Sequence, residues 1–170
     1  MINIIGDSSS GKSLLCLHAL IEAANSRFFK EFELYYDDVE GGCDFDVEGM
    51  LGKRAGEMFE DRINMVSSQS IEEWQDRMND FQKREVPFIY ILDSYDTLDS
   101  NQAKLQADKE AKKRSKVKTD DDEKEEKMKG SYGMDKVKRV RALFRTALTH
   151  MENSGSILIV ISQTKAVINP

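Results

Sequence analysis

The chain has 170 residues, of which 39% are hydrophobic and 33% charged, with a formal net charge of −6. That length suits one domain with a core of its own, and the acidic balance excludes a generally basic protein that coats nucleic acid, although a local basic face remains open. No apolar run approaches the roughly 20 residues of a membrane helix, and no charged segment followed by an apolar one opens the chain, so a cytoplasmic protein with no membrane partner is expected.

Ile2-Asn3-Ile4-Ile5 is short, apolar and β-branched and reads as a first strand. Directly after it, Gly6-Asp7-Ser8-Ser9-Ser10-Gly11-Lys12-Ser13 fits the phosphate-loop pattern G-x-x-x-x-G-K-[ST] at every fixed position. Leu14 to Ile21 continues as a good helix former, and the helix is expected to run to about Asn25. Strand, loop and helix are the context this motif requires. Its glycines let the main chain wrap a polyphosphate, and the helix start adds partial positive charge. Residues Gly6 to Leu14 are therefore the expected nucleotide-binding stretch. Lys12 is expected to reach the β- and γ-phosphates, and Ser13 to give its hydroxyl to Mg2+, a hard cation that takes oxygen ligands.

Phe32-Glu33-Leu34-Tyr35-Tyr36 reads as a second strand, ending in Asp37-Asp38-Val39-Glu40-Gly41-Gly42. In a parallel α/β sheet, working side chains gather at the carboxyl ends of strands. Glu40 is thus a candidate for polarising an attacking water, set against a reading of Asp37, Asp38 and Glu40 as a solvated acidic loop. From Phe45 to Phe59 the pattern is weakly helical and interrupted by glycine. Ile63 to Val66 reads as a short strand, and Ser70-Ile71-Glu72-Glu73 as a capping box opening a helix that buries Ile71, Trp74, Met78 and Phe81. After Pro87, Phe88-Ile89-Tyr90-Ile91-Leu92-Asp93 reads as a central buried strand. On a chain with a phosphate loop, the acid closing such a strand is expected to hold Mg2+ through a water, with Ser94 positioning its neighbours.

Residues 100–130 change the composition, with lysines from Lys104 to Lys118 and then the acidic run of Asp120 to Glu126. Almost nothing there could join a core, so the segment reads as a solvated or disordered insertion; its lysines could also form a nucleic-acid arm. A helical apolar stripe follows in Val137, Val140, Leu143, Phe144, Ala147, Leu148 and Met151, with Lys136, Lys138, Arg139, Arg141 and Arg145 on other faces. Ser156 to Ile161 is a further buried strand, which delivers Ser162 and Gln163 to the sheet edge that carries Asp93. Cys16 and Cys43 are too few and too unpatterned for a disulfide framework or a zinc site, and His18 and His150 have no partner at ligand spacing.

Taken in order, Gly6 to Ser13, Tyr35 to Glu40, Ile91 to Ser94 and Ile159 to Gln163 resemble the ATPase core of RecA-type recombinases. The resemblance covers most of the chain outside the charged insertion. It implies an α/β fold of the RecA-like P-loop NTPase kind, a mainly parallel sheet flanked by helices on both faces, as one core over residues 1–170. It implies ATP and Mg2+ as ligands, Glu40 of Asp38-Val39-Glu40 as catalytic base, and Gln163 as the residue that senses the γ-phosphate. It further implies single-stranded DNA as partner, with Gly130 to Met134 in the place of a DNA-binding loop, and self-association into a filament or ring. The family's N-terminal polymerisation segment, second DNA-binding loop and last strands have no counterpart in these residues. The expectation is a DNA-dependent ATPase. Two alternatives remain, a nucleotide-gated binding module with little turnover and a kinase-like phosphoryl transferase, because a phosphate loop alone does not separate them. No base-recognition motif distinguishes ATP from other triphosphates.

Overall fold

The computed structural model describes residues 1–99, 141, 144, 145, 147–149 and 151–164. Five strands form one all-parallel sheet: β1 (Ile2–Gly6), β2 (Glu33–Asp38), β3 (Ile63–Val66), β4 (Phe88–Asp93) and β5 (Ile157–Gln163), in spatial order β1-β5-β4-β2-β3. The helices between them are α1 (Lys12–Asn25), α2 (Val47–Leu51), α3 (Lys53–Arg62) and α4 (Ile71–Arg84). Helical positions 141, 144, 145, 147–149 and 151–154 form a further helix, α5.

The central strand β4 is buried at all six positions, which is what a continuous apolar run with both faces covered should show. Its side chains alternate between two cores. Ile89 and Ile91 pack with Leu34, Ile159, Ile161 and the buried face of α1, Leu17, Leu20 and Ile21. Phe88, Tyr90 and Leu92 pack instead with Ile71, Trp74, Met78 and Phe81 of α4 and with Met151 of α5. Helices therefore cover both faces of the sheet. Trp74 is fully buried, as its place on the apolar stripe of α4 requires.

Local chemistry sets the boundaries. Ser70 Oγ accepts a hydrogen bond from Glu73 N at 3.2 Å, and Glu73 Oε2 accepts from Gln69 N at 2.7 Å. The capping box thus closes on the residue before the N-cap rather than on the N-cap itself. The single weak helix expected over 45–59 is two helices, because Gly52 stands between them at φ 91°, a backbone state that suits only glycine. Asp46 caps the first of them, accepting from Gly49 N at 2.9 Å. Of the apolar stripe on α5, Ala147 and Met151 are buried and Phe144 packs against Trp74, while Arg141 and Arg145 are exposed. The expectations placed on residues 100–130, Gly130 to Met134, Lys136 to Val140, Leu143 and His150 lie outside the described residues. No helix among the described residues is long and apolar enough to cross a membrane.

Candidate functional site

Because all strands run the same way, β1, β2, β4 and β5 end on one side of the sheet, at Gly6, Asp38, Asp93 and Gln163. A cleft of about 390 Å³ opens there. One wall is Ser8, Ser9, Ser10, Gly11, Lys12, Ser13 and Leu14; facing it are Asp38, Glu40, Asp93 and Gln163, with Phe45 and Ile161 among the apolar lining. Residues spread over more than 150 positions of sequence thus meet around one opening, since Ser8 and Gln163 share it.

The loop that forms the first wall depends on two left-handed residues, Ser9 at φ 59° and Gly11 at φ 85°. At Gly11 glycine is the natural choice, and it places Lys12 and Ser13 in the first turn of α1. Gly6 ends β1 where a Cβ would stand 3.1 Å from Ser10 Oγ, so the loop closes tightly over it. Lys12 folds back on its own loop, Nζ donating to Asp7 O at 2.6 Å and to Ser10 Oγ at 3.4 Å. Asp7 turns its carboxylate the other way and accepts from Thr164 Oγ1, while Thr164 N donates to Gly6 O at 3.2 Å. These bonds tie the loop to the end of β5.

Asp93, only 6% exposed, accepts from the buried Tyr36 hydroxyl at 2.6 Å. A phenol on β2 thus fixes the carboxylate that ends β4. Burial, and then the neighbouring Asp93, hold the Tyr36 phenol above its ordinary range. The Cys16 thiol is pushed up to about 11 by burial and by Asp93; that of Cys43 is raised to about 11 by burial and by Asp38. Both cysteines are free, and at neutral pH both are protonated thiols of low reactivity.

The acidic stretch that ends β2 and opens the following loop divides into three roles. Asp37, expected on a solvated loop, is instead inside β2 and fully buried. It accepts from Ser68 N at 2.7 Å, from Ser68 Oγ and from the Tyr90 hydroxyl, which joins β2 to the segment after β3 and to β4. Strand pairing draws it in: Asp37 lies opposite Val66 and Leu92. Asp38 shapes the following loop by accepting from Gly42 N at 3.1 Å and Cys43 N at 2.9 Å. Glu40 is exposed at the cleft, where its Oε1 accepts from Ser94 Oγ, from Thr97 Oγ1 at 3.0 Å and from Gln163 Nε2 at 3.0 Å.

Gln163 is held at its backbone as well, its N–H donating to Asp96 Oδ2 at 2.7 Å. Ser162 turns elsewhere and donates to Asn3 Oδ1 at 3.2 Å, bracing β5 against β1. His18 is an exposed residue of α1, 3.7 Å from Glu22 one turn on. Sequence reasoning missed Tyr36, Asp96 and Thr97. The signal for the last two was their place in a polar turn directly behind Asp93, whose peptide bond to Ser94 is cis. The sequence matches no protein-family model, and no curated protein matches it significantly.

Ser13 and Asp93 offer hard oxygen donors from facing walls of the cleft, with Tyr36 fixing Asp93. Among the described residues no group of three or more His, Cys, Asp or Glu is arranged to hold a metal unaided. A cation here would complete its shell from water and ligand oxygens. That is the coordination habit of Mg2+, so the residues fit it.

Proposed function

We propose that the chain is a RecA-like P-loop ATPase core that binds Mg-ATP in this cleft and hydrolyses it under the control of single-stranded DNA. The observation that carries the reading is the meeting of Lys12, Ser13, Glu40, Asp93 and Gln163 around one opening at the carboxyl ends of parallel strands. The strand order supports it too, because β5 lies between β1 and β4 and brings Gln163 between the phosphate loop and Asp93.

In this reading the loop from Gly6 to Leu14 binds the polyphosphate at the start of α1, where backbone donors and the helix dipole favour anions. Lys12 exchanges its present acceptors, Asp7 O and Ser10 Oγ, for phosphate oxygens and neutralises charge that develops on them. Ser13 and Asp93 would hold Mg2+, which supplies charge stabilisation at the transferring phosphoryl group. Glu40 orients a water for in-line attack on the γ-phosphate, and Gln163, now bonded to Glu40, responds to the group that Glu40 faces. The DNA partner and self-association into a filament or ring rest on the resemblance alone, together with the exposed Arg141 and Arg145 of α5. A cytoplasmic setting belongs to the same proposal.

The test is phosphate release from ATP, with and without single-stranded DNA, for the unaltered chain, Lys12→Ala and Glu40→Gln. Stimulation by DNA that both substitutions abolish is the expected result. Binding of Mg-ATP with no Lys12-dependent release in either condition would replace this reading with the nucleotide-gated module, and transfer of phosphate to a small acceptor would replace it with the kinase-like one.

A further inference from the structure

A carboxylate that orients a water must present one oxygen to it and keep the other still. Glu40 is on an exposed loop, where a long side chain samples many rotamers at little cost, so something must hold it. The donors around it are unevenly shared. Oε1 accepts from Ser94, Thr97 and Gln163, whereas Oε2 accepts from Gln163 alone, at 3.3 Å. Oε1 is the anchored atom and Oε2 keeps acceptor capacity to spare.

Two of these donors come from one short element, the 3-10 turn Tyr95–Thr97 and the Ser94 that precedes it. Ser94 and Thr97 also lie 3.3 Å apart through their hydroxyl oxygens. The turn is rigidly seated. Leu98, at its end, is fully buried in the core beneath α4, Thr97 N donates to Ser94 O at 3.3 Å, and Asp96 takes the backbone N–H of Gln163. One turn therefore sets the places of both Glu40 and Gln163.

We propose that Thr97 is a positioning residue for Glu40, with Ser94 beside it and Asp96 bracing Gln163, so that Oε2 is the oxygen turned to the attacking water. The proposal rests on the ATPase reading and deepens it. It also explains why hydroxyls accompany the amide. When Gln163 turns toward a phosphate, its bonds to Glu40 weaken, and Ser94 and Thr97 are what keep the carboxylate in register. A Gln163 anchor alone would release Glu40 at the moment its position matters.

Thr97 is exposed, so its replacement leaves the core intact. Thr97→Val keeps the branched shape and removes the donor, and Thr97→Ser restores the donor. Steady-state phosphate release is measured for both, alone and combined with Glu40→Gln, with thermal melts as a check on folding. For Thr97→Val, kcat should fall ~tenfold, the effect of losing one hydrogen bond to a charged group, while KM for the nucleotide stays within about twofold. Thr97→Ser should return near the unaltered rate, and Thr97→Val should cost nothing further in the Glu40→Gln background. If Lys12 and Glu40 govern turnover yet Thr97→Val turns over like the unaltered chain, the inference falls and the ATPase reading stands. An equal loss in Thr97→Ser, or a full loss in the Glu40→Gln background, would show a structural role and overturn it as well. Absence of any Glu40-dependent turnover overturns both.

Discussion

Tyr36→Phe removes one oxygen from the interior and nothing else. The ring stays in its core beside Leu34 and Ile91, so the packing contribution is conserved. What disappears is the donor to Asp93 Oδ2 at 2.6 Å, between two side chains that are 0% and 6% exposed. Water has little access to replace it. A hydrogen bond to a charged group is worth about 1.5–3 kcal/mol, and an acceptor left buried without its donor adds to the loss rather than offsetting it. For a chain of this length each kcal/mol moves Tm by about 2–4 °C, so a fall of about 3–12 °C is expected. Urea denaturation followed by circular dichroism provides the direct measure. The midpoint should fall with the slope unchanged, because the surface exposed on unfolding is the same. A loss below about 0.5 kcal/mol, the level of an ordinary surface substitution, would refute the claim that this phenol is a principal support of Asp93.

The remaining expectations concern capping and titration. Ser70→Ala removes the side chain that receives Glu73 N and should cost about 1 kcal/mol, read as a lower urea midpoint. The two thiols give a pH dependence whose sign is determined. Cys16 and Cys43 keep their protons in the folded chain up to about 11, whereas the unfolded chain releases them near 9.0. The folded state thus binds more protons above pH 9, so their contribution is complete below pH 9 and is lost as the pH rises toward 11. Urea midpoints measured between pH 9 and 10 should decline, and the decline should be shallower in Cys16→Ala; an unchanged slope would contradict the burial of that thiol. Tyr36 and Tyr90 act with the same sign above pH 10, which is why the window ends there.

The elements that read most clearly in the sequence were those with strong local chemistry. Gly11, Lys12 and Ser13 announced a loop and the start of a helix, Ser70 announced another, and the apolar run from Phe88 to Leu92 could only be a strand covered on both sides. Asp37 shows where local reading stops. In sequence it is one of three acids ahead of two glycines, and nothing marks it as different from Asp38. Only pairing of β2 with both β3 and β4 carries it inside, where Ser68 and Tyr90 receive it. Thr97 was hidden for a similar reason. Its partner Glu40 is 57 positions away, and the contact exists because β2 and β4 are neighbours. Gly52 was visible as a weakness in a helix, yet that it divides the segment in two follows from its positive φ, which sequence does not display.

The sheet order has a consequence for how such a chain is made. Strand β1 is the first to be synthesised, but its partner in the sheet is β5, whose paired residues lie 157 positions later, as in the pairing of Ile4 with Ile161. Until that strand has been added, the loop carrying Lys12 has no neighbour on the side of β4, and the two walls of the cleft are not joined. Local contacts that would let the cleft form early are absent from this register, and long-range parallel pairing is slow. The emerging polypeptide can collapse around β2, β3, β4 and α4 well before then. The cleft is complete only with the closing strand, whose Ile161 and Gln163 line it, so a chain interrupted before Ile157 would be folded in part and lack that opening.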